Sequence, residues 1–309
     1  MSRKSLILVL VLGALVLTAV LTNRTRVVFQ EDSPSGLIRV VERSDGLREL
    51  YIGGSRARQT ALYPGRPGHL ELPYTRVAMT GLALVPEDAR ILFVGLGGGA
   101  MPTYTRHLRP RARIQTVELE PLVVEAARDW FGFRTDSLMS VHAADGRVFI
   151  EEAPPGTWDL IFLDAFSDGD VPRALSTVEF LQAVARALTP AGVVVSNLHT
   201  ASPRYEAMVA TYQAVFQEVA LVQVPGRRQR ILLARTTADP GAVVEDRIGS
   251  PGDTVMAPGA GIDLRRESVV EAVRSLARDR ELGFDLVTIV EGGFDVPNPP
   301  DVQVLHDGG

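Results

Sequence analysis

The stretch "ILFVGLGGGAMP" runs from an apolar segment straight into Gly95, Gly97, Gly98 and Gly99. Glycines at such a place let backbone N–H groups and the start of a following helix approach a ligand with no Cβ in the way. By itself the turn reads equally well as structural, because glycine turns are common. Its spacing to three acids favours a cradle. Glu118 closes the next apolar segment, 23 residues beyond Gly95, where a carboxylate can accept both hydroxyls of a ribose. "AADG" sets Asp145 and Gly146 after the third, where a carboxylate can take the exocyclic amine of an adenine. Asp164 closes the fourth, in "LIFLDAF", and an acid directly after four apolar residues is hard to explain by solubility alone.

These residues need elements that bring them to one edge. From Arg90 onward, "ILFVGL", "RIQTVEL", "SVHAA", "WDLIFLDAF" and "GVVVSNL" are apolar runs of the kind that a parallel sheet buries on both faces. Between them "MPTYTRHL", "PLVVEAARDWF", "GRVFIEEA" and "STVEFLQAVARAL" have helical spacing. The alternation predicts an α/β fold, a doubly wound and mostly parallel sheet of seven strands resembling a Rossmann domain. Ligands of such sheets sit beyond the carboxyl ends of the strands. "EVALVQVPGRRQRILLAR" reads as an antiparallel pair turning at Pro225 and Gly226. Before the sheet, "GLIRVVERSDGLRELYIGG" reads as a hairpin turning at Ser44, Asp45 and Gly46. Four regions follow: residues 1–25 as membrane anchor or signal segment, 26–85 as a small β-region, 86–236 as the nucleoside-binding α/β domain, and 237–309 as a Gly/Pro-rich loop, short helix and extended tail.

The totals narrow the function. The 309-residue chain is 46% hydrophobic, with a net charge of −5 and a pI near 5.6. That balance argues against a nucleic-acid partner, which calls for a basic face. The absence of cysteine excludes disulfides and thiolate chemistry, and five scattered histidines make no metal-ligand spacing, so no metal is expected. Residues 6–21 are apolar apart from Gly13 and Thr18, borderline for a span of roughly 17–25 residues. We expect a single uncleaved anchor that associates the protein with a membrane, its large domain facing the cytoplasm.

"GLGGGAM" departs from the dinucleotide pattern G-x-G-x-x-G, and with the acids it looks like an S-adenosyl nucleoside fold of the class I methyltransferase type. More narrowly, the chain resembles the spermidine synthase family, the polyamine aminopropyltransferases. The resemblance rests on "LYIGGSRARQT", Tyr74, "VGLGGGAMP", "VELEPLVVEAARDWF", "ADGRVFI", the segment from "WDLIFLDAF" to "GVVVSNL", and "VQVLHD". It implies a co-substrate, decarboxylated S-adenosylmethionine or S-adenosylmethionine, whose nucleoside would lie over Gly95, Gly97, Gly98 and Gly99. Glu118 would hold its ribose, Asp145 and Gly146 its adenine, and Gln59 would join them. The resemblance also implies that Asp164 deprotonates a small-molecule amine such as putrescine, with Tyr74 beside it. Asp168, Asp170 and Glu71 would bind that amine, and a homodimer is possible.

Five positions, at four places in the chain, differ from the family pattern. Gly98 stands where the family carries an Asp toward the aminopropyl ammonium, Arg76 where it carries a Glu, Ser35 and Gly36 where it has a Tyr-Gln pair, and Ser167 where a loop Asp is expected. Each removes an acceptor for a cation. Two further readings therefore stand beside aminopropyl transfer: an S-adenosylmethionine-dependent methyltransferase, and a non-catalytic membrane-anchored nucleoside-binding protein.

Overall fold

The computed structural model describes residues 25–54, 58–166, 169–236, 262–298 and 302–308. Four antiparallel strands come first, β1 (Thr25–Ser33), β2 (Gly36–Arg43), β3 (Arg48–Ile52) and β4 (Thr60–Leu62), paired in sequence order. The turn at Ser44, Asp45 and Gly46 joins β2 to β3, with Gly46 at φ 86° and the Asp45 carboxylate accepting from the Leu47 N–H at 3.1 Å. Helix α1 (Pro73–Ala78) and a 3-10 turn (Met79–Leu84) lead into the main sheet. Pro at the start of α1 removes an N–H that would have had no partner there.

The main sheet then alternates with helices: β5 (Arg90–Val94), α2 (Ala100–Leu108), β6 (Arg113–Glu118), α3 (Pro121–Trp130), β7 (Met139–Ala143), α4 (Gly146–Glu151), β8 (Trp158–Leu163), α5 (Val178–Ala187) and β9 (Leu188–His199). Every residue of β8 is buried, which a strand achieves only when both faces of its sheet are covered. After β9 come α6 (Tyr205–Val215), β10 (Glu218–Gln223), β11 (Gln229–Arg235), α7 (Arg266–Asp279), α8 (Leu286–Gly293) and β12 (Phe294–Asp295). The sheet order is β12-β10-β11-β9-β8-β5-β6-β7. Strands β5 to β9 are mutually parallel, while β11 pairs antiparallel with both β9 and β10, and β12 antiparallel with β10. Among the described residues the sheet has eight strands rather than seven, the additional one being the two-residue β12 beside β10.

Strand order reverses at β5. The chain builds outward through β6 and β7, then returns to add β8 and β9 on the other side. Between β5 and β8 the connecting loops diverge, leaving a crevice at the carboxyl ends of the strands. Around this sheet the core divides by face. Phe93 and Phe162 stack at 4.5 Å within one cluster, and Leu92, Ile161 and Val194 belong to the other. Ile38, Val40 and Leu50 of the β1–β4 sheet pack on Val123 and Ala126 of α3 and on Phe131.

The sequence reading missed α6, and it took residues 286–295 for extended tail. "LVTIVEGG" is rich in β-branched residues of low helix propensity, yet it forms α8. The Asp285 side chain caps Thr288 N at 3.0 Å, and burial of Leu286 and Val290 in the main core outweighs propensity. The apolar segment 6–21 and most of the Gly/Pro-rich stretch, 237–261, lie outside the described residues. Among those described, no helix is long and apolar enough to cross a membrane.

One bond ties the later helices to the early part of the sheet. Tyr104 of α2, 1% exposed, donates from its hydroxyl to the Leu282 carbonyl at 2.8 Å. Tyr104→Phe strands that carbonyl among apolar side chains, and urea denaturation should show a loss of about 1–3 kcal/mol in unfolding free energy.

Candidate active site

Three strand ends meet at Gly95. Its N–H donates to the Val117 carbonyl of β6 at 2.9 Å, and the Asp164 N–H donates to the Val94 carbonyl at 3.0 Å. Gly95 has φ 98°, and a Cβ there would lie 2.4 Å from the Asp164 carbonyl oxygen. Only glycine allows that approach. The turn continues through Gly97 at φ 54° and Gly99 at φ 78°, the latter standing directly before α2.

The turn is held from the side by Glu118. One oxygen of its carboxylate accepts from Leu96 N at 2.9 Å and the other from Glu120 N at 3.0 Å. Burial raises this carboxyl above its ordinary value, while the N–H groups of Leu96, Glu120 and Gly97 oppose the rise. A carboxylate offers about four acceptor positions, so Glu118 can clamp the turn and still meet a diol. Asp145 caps α4, one oxygen accepting from Arg147 N at 2.7 Å and Val148 N at 3.2 Å. Its other oxygen has no bond to this cap. A Cβ on Gly146 would sit 2.6 Å from Val94 Cγ1, so glycine there lets α4 seat on β5.

Asp164 is the crevice acid held by side chains. The Tyr74 hydroxyl donates to its Oδ2 at 3.0 Å and the Asn197 amide donates to its Oδ1 at 3.2 Å. Burial pushes the Asp164 carboxyl up to about 7, against the pull of those two donors. Burial and the neighbouring carboxylate push the Tyr74 phenol well above its ordinary value, so Tyr74 stays protonated as a donor.

A cavity of about 450 Å³ joins these parts. Its wall includes Gln59, Gly95, Gly97, Glu118, Asp145, Gly146, Tyr74 and Asp164, which brings together most of the residues expected from the sequence. Others are placed elsewhere. Asp170, expected on the amine, is not in the wall: it pairs with Arg204 at 2.7 Å and accepts from Ser202 Oγ at 2.7 Å. Although burial alone raises its carboxyl, Ser202, Arg204 and the Val171 N–H hold it below its ordinary value. Glu71 is also outside the wall, hydrogen-bonded to His69 Nε2 at 2.8 Å. Arg76 spends its charge locally, donating to the Leu70 carbonyl at 2.6 Å. Asp168 lies outside the described residues. Among those residues no cluster could hold a metal ion.

Gly98 turns out to have a packing role. A Cβ there would lie 2.7 Å from Thr60 Cγ2 and 2.9 Å from Phe131 Cγ, while Gly98 N donates to Thr60 Oγ1 at 2.8 Å. The space an acid would need is already filled. Four contributors went unread in the sequence: Thr60, Asn197, Arg147 and Glu120, a buried residue that caps α3 and accepts from Ser35 N at 3.3 Å. Arg147 lines the cavity and is held by Glu151 at 2.7 Å, by the Ala174 carbonyl at 3.1 Å and by both oxygens of Asp307. The one available signal was the polar pair Ser196 and Asn197 after three valines in "GVVVSNL".

The raised Asp164 carboxyl also bears on stability. It is near its ordinary value of 3.8 when unfolded and about 7 when folded, so the folded state loses stability as pH rises between those values. Asp164→Asn removes the charge. Thermal melting should show the variant gaining over the parent as pH goes from about 4 to 7, with a constant advantage above that.

The fold and the strand-end glycines and acids define a class I methyltransferase-like α/β protein with a nucleoside-sized crevice. The chain is 30% identical over 187 residues to the polyamine aminopropyltransferase of Chromobacterium violaceum, covering 60% of this chain and 70% of that one. It therefore belongs to the polyamine aminopropyltransferase family. It is 33% identical over 190 residues to the enzyme of the same name from Vibrio vulnificus, covering 60% of this chain and 64% of that one. It is also 32% identical over 197 residues to the eEF1A lysine and N-terminal methyltransferase of Mus musculus, covering 56% of this chain and 28% of that one. The chain thus spans about two thirds of the Vibrio relative and little over a quarter of the methyltransferase. In structure it is similar to a probable spermidine synthase from Corynebacterium glutamicum, with a TM-score of 0.66 and 21% identity over 92% of this chain and 98% of that one. No protein-family model matches the chain.

Proposed function

We propose that the chain is a transferase that moves an aminopropyl group from decarboxylated S-adenosylmethionine to an amine such as putrescine. The observation that carries this is Asp164, a partly buried acid with two donors at the switch point of the sheet, sharing one cavity with the glycine turn and Glu118. When bound, the sulfonium donor supplies an electrophilic carbon and a thioether leaving group. An amine with a free lone pair is then needed, and at neutral pH most amines are ammonium ions. Ionised Asp164 attracts that ammonium and takes its proton, while the Tyr74 hydroxyl and the Asn197 amide hold the carboxylate in place. Glu118 would meet the ribose, Asp145 and Gly146 the adenine, and Gln59 the far wall. The family relatives support this reading.

A second reading is methyl transfer from S-adenosylmethionine, and Gly98 favours it. With Thr60 and Phe131 closing that space, the described wall offers no acid there for the ammonium of a transferred aminopropyl group, whereas a transferred methyl group carries no ammonium to be met. The methyltransferase relative points the same way. For residues 6–21 we keep the anchor reading, supported by an apolar character that only Gly13 and Thr18 interrupt, with the large domain toward the cytoplasm, and we keep the homodimer.

Calorimetric titration with decarboxylated S-adenosylmethionine, S-adenosylmethionine and methylthioadenosine separates the readings. Tighter binding of the decarboxylated donor is expected, preference for the carboxylated one would move the assignment to methyl transfer, and no binding by any would remove both. Asp164→Asn should lower the transfer rate by about 10²–10⁴-fold with donor affinity little changed. In the parent, the rate should rise with pH and level off above about 7, as Asp164 ionises.

A further inference from the structure

Asp164 is held by an amide whose own orientation is set from the next strand. Asn197, 5% exposed, donates Nδ2–H to Asp164 Oδ1 at 3.2 Å and accepts on its Oδ1 from Gln229 Nε2–H at 3.3 Å. Antiparallel register places Ile231 opposite Asn197 and Gln229 opposite His199, so Asn197, His199 and Gln229 share one face. Gln229 is a diagonal neighbour within reach of a long side chain. An asparagine amide can present either end to a carboxyl group. With its oxygen engaged by a donor, only the N–H end is left for Asp164.

We propose that Gln229 is a positioning residue for the reaction: by donating to Asn197 Oδ1 it fixes the amide so that Asp164 is met by an N–H and not by a carbonyl. The inference rests on the reading of Asp164 as the base. Without the Gln229 donor, Asn197 can turn its oxygen to Asp164, and a carbonyl there accepts a hydrogen bond from the neutral acid's O–H and repels the anion. Among the described residues, the titratable groups facing this network are Tyr74 on α1 and His199 across from Gln229. His199 Nδ1 accepts from Ala201 N at 3.4 Å. Arg230, next along β11, is held by Asp295 at 3.0 Å and by Gln223 Oε1 at 3.2 Å.

The test compares Gln229→Met, which keeps the length and loses the donor, with Gln229→Lys, which keeps a donor. Carboxyl carbon NMR of Asp164 reads the relay whether or not the protein turns over. The Met variant should reach its titration midpoint about one pH unit above the parent, and the Lys variant at or below it. In the transfer assay, the Met variant should lose about tenfold below pH 7 and recover at pH 9, because a midpoint about one pH unit higher leaves roughly a tenth as much of the carboxyl ionised on the acid side. Unmoved Asp164 titration in the Met variant, or equal upward displacement in both variants, overturns the proposal. A displaced titration with no transfer in the parent leaves the relay standing and removes the base reading instead.

Discussion

The site depends on one backbone approach, that of Gly95 to the end of β8. Because residue 95 has no Cβ, the Asp164 carbonyl can pass close to it, and with Val117 below, the ends of β5, β6 and β8 converge. The glycine turn and two of the acids hang from those three ends. The glycine turn leaves β5, Glu118 closes β6, and Asp164 leaves β8. A side chain at 95 would push β5 and β8 apart at the reversal of strand order, which is where the crevice opens.

Two acids are kept in surroundings that disfavour their charge, and they are supported differently. Glu118 is surrounded by backbone donors, so its partners are covalently fixed parts of the turn it organises. Asp164 is supported by side chains, Tyr74 from α1 and Asn197 from β9, each of which can rotate. The carboxylate with rigid partners suits a permanent binding role. The one with movable partners, titrating near neutrality, suits a group that must gain and lose a proton in every cycle.

Much of this site was legible in the sequence for a geometric reason. A parallel sheet sends all its strand ends to one edge, so residues that follow apolar runs converge even when scores of positions apart. Gly95, Glu118, Asp145 and Asp164 were found that way. Asp170 stands apart from the cavity wall, and its partner Arg204 lies 34 residues later, on a segment whose helix went unread. Thr60 was hidden for a similar reason. Its contact with Gly98 spans 38 residues and two different sheets, and nothing local marks it. Helix α8 was misjudged because burial overrode β-branched composition.

The packing of Gly98 bears on how such a chain can change over generations. An acid at 98 needs Thr60 and Phe131 to yield first, yet shrinking either alone opens a hole in a well-filled wall, and adding the acid alone makes a clash. The substitutions are strongly non-additive. Exchanging glycine for an acid at this position therefore takes coordinated changes at Thr60 and Phe131, so the three residues change as one unit.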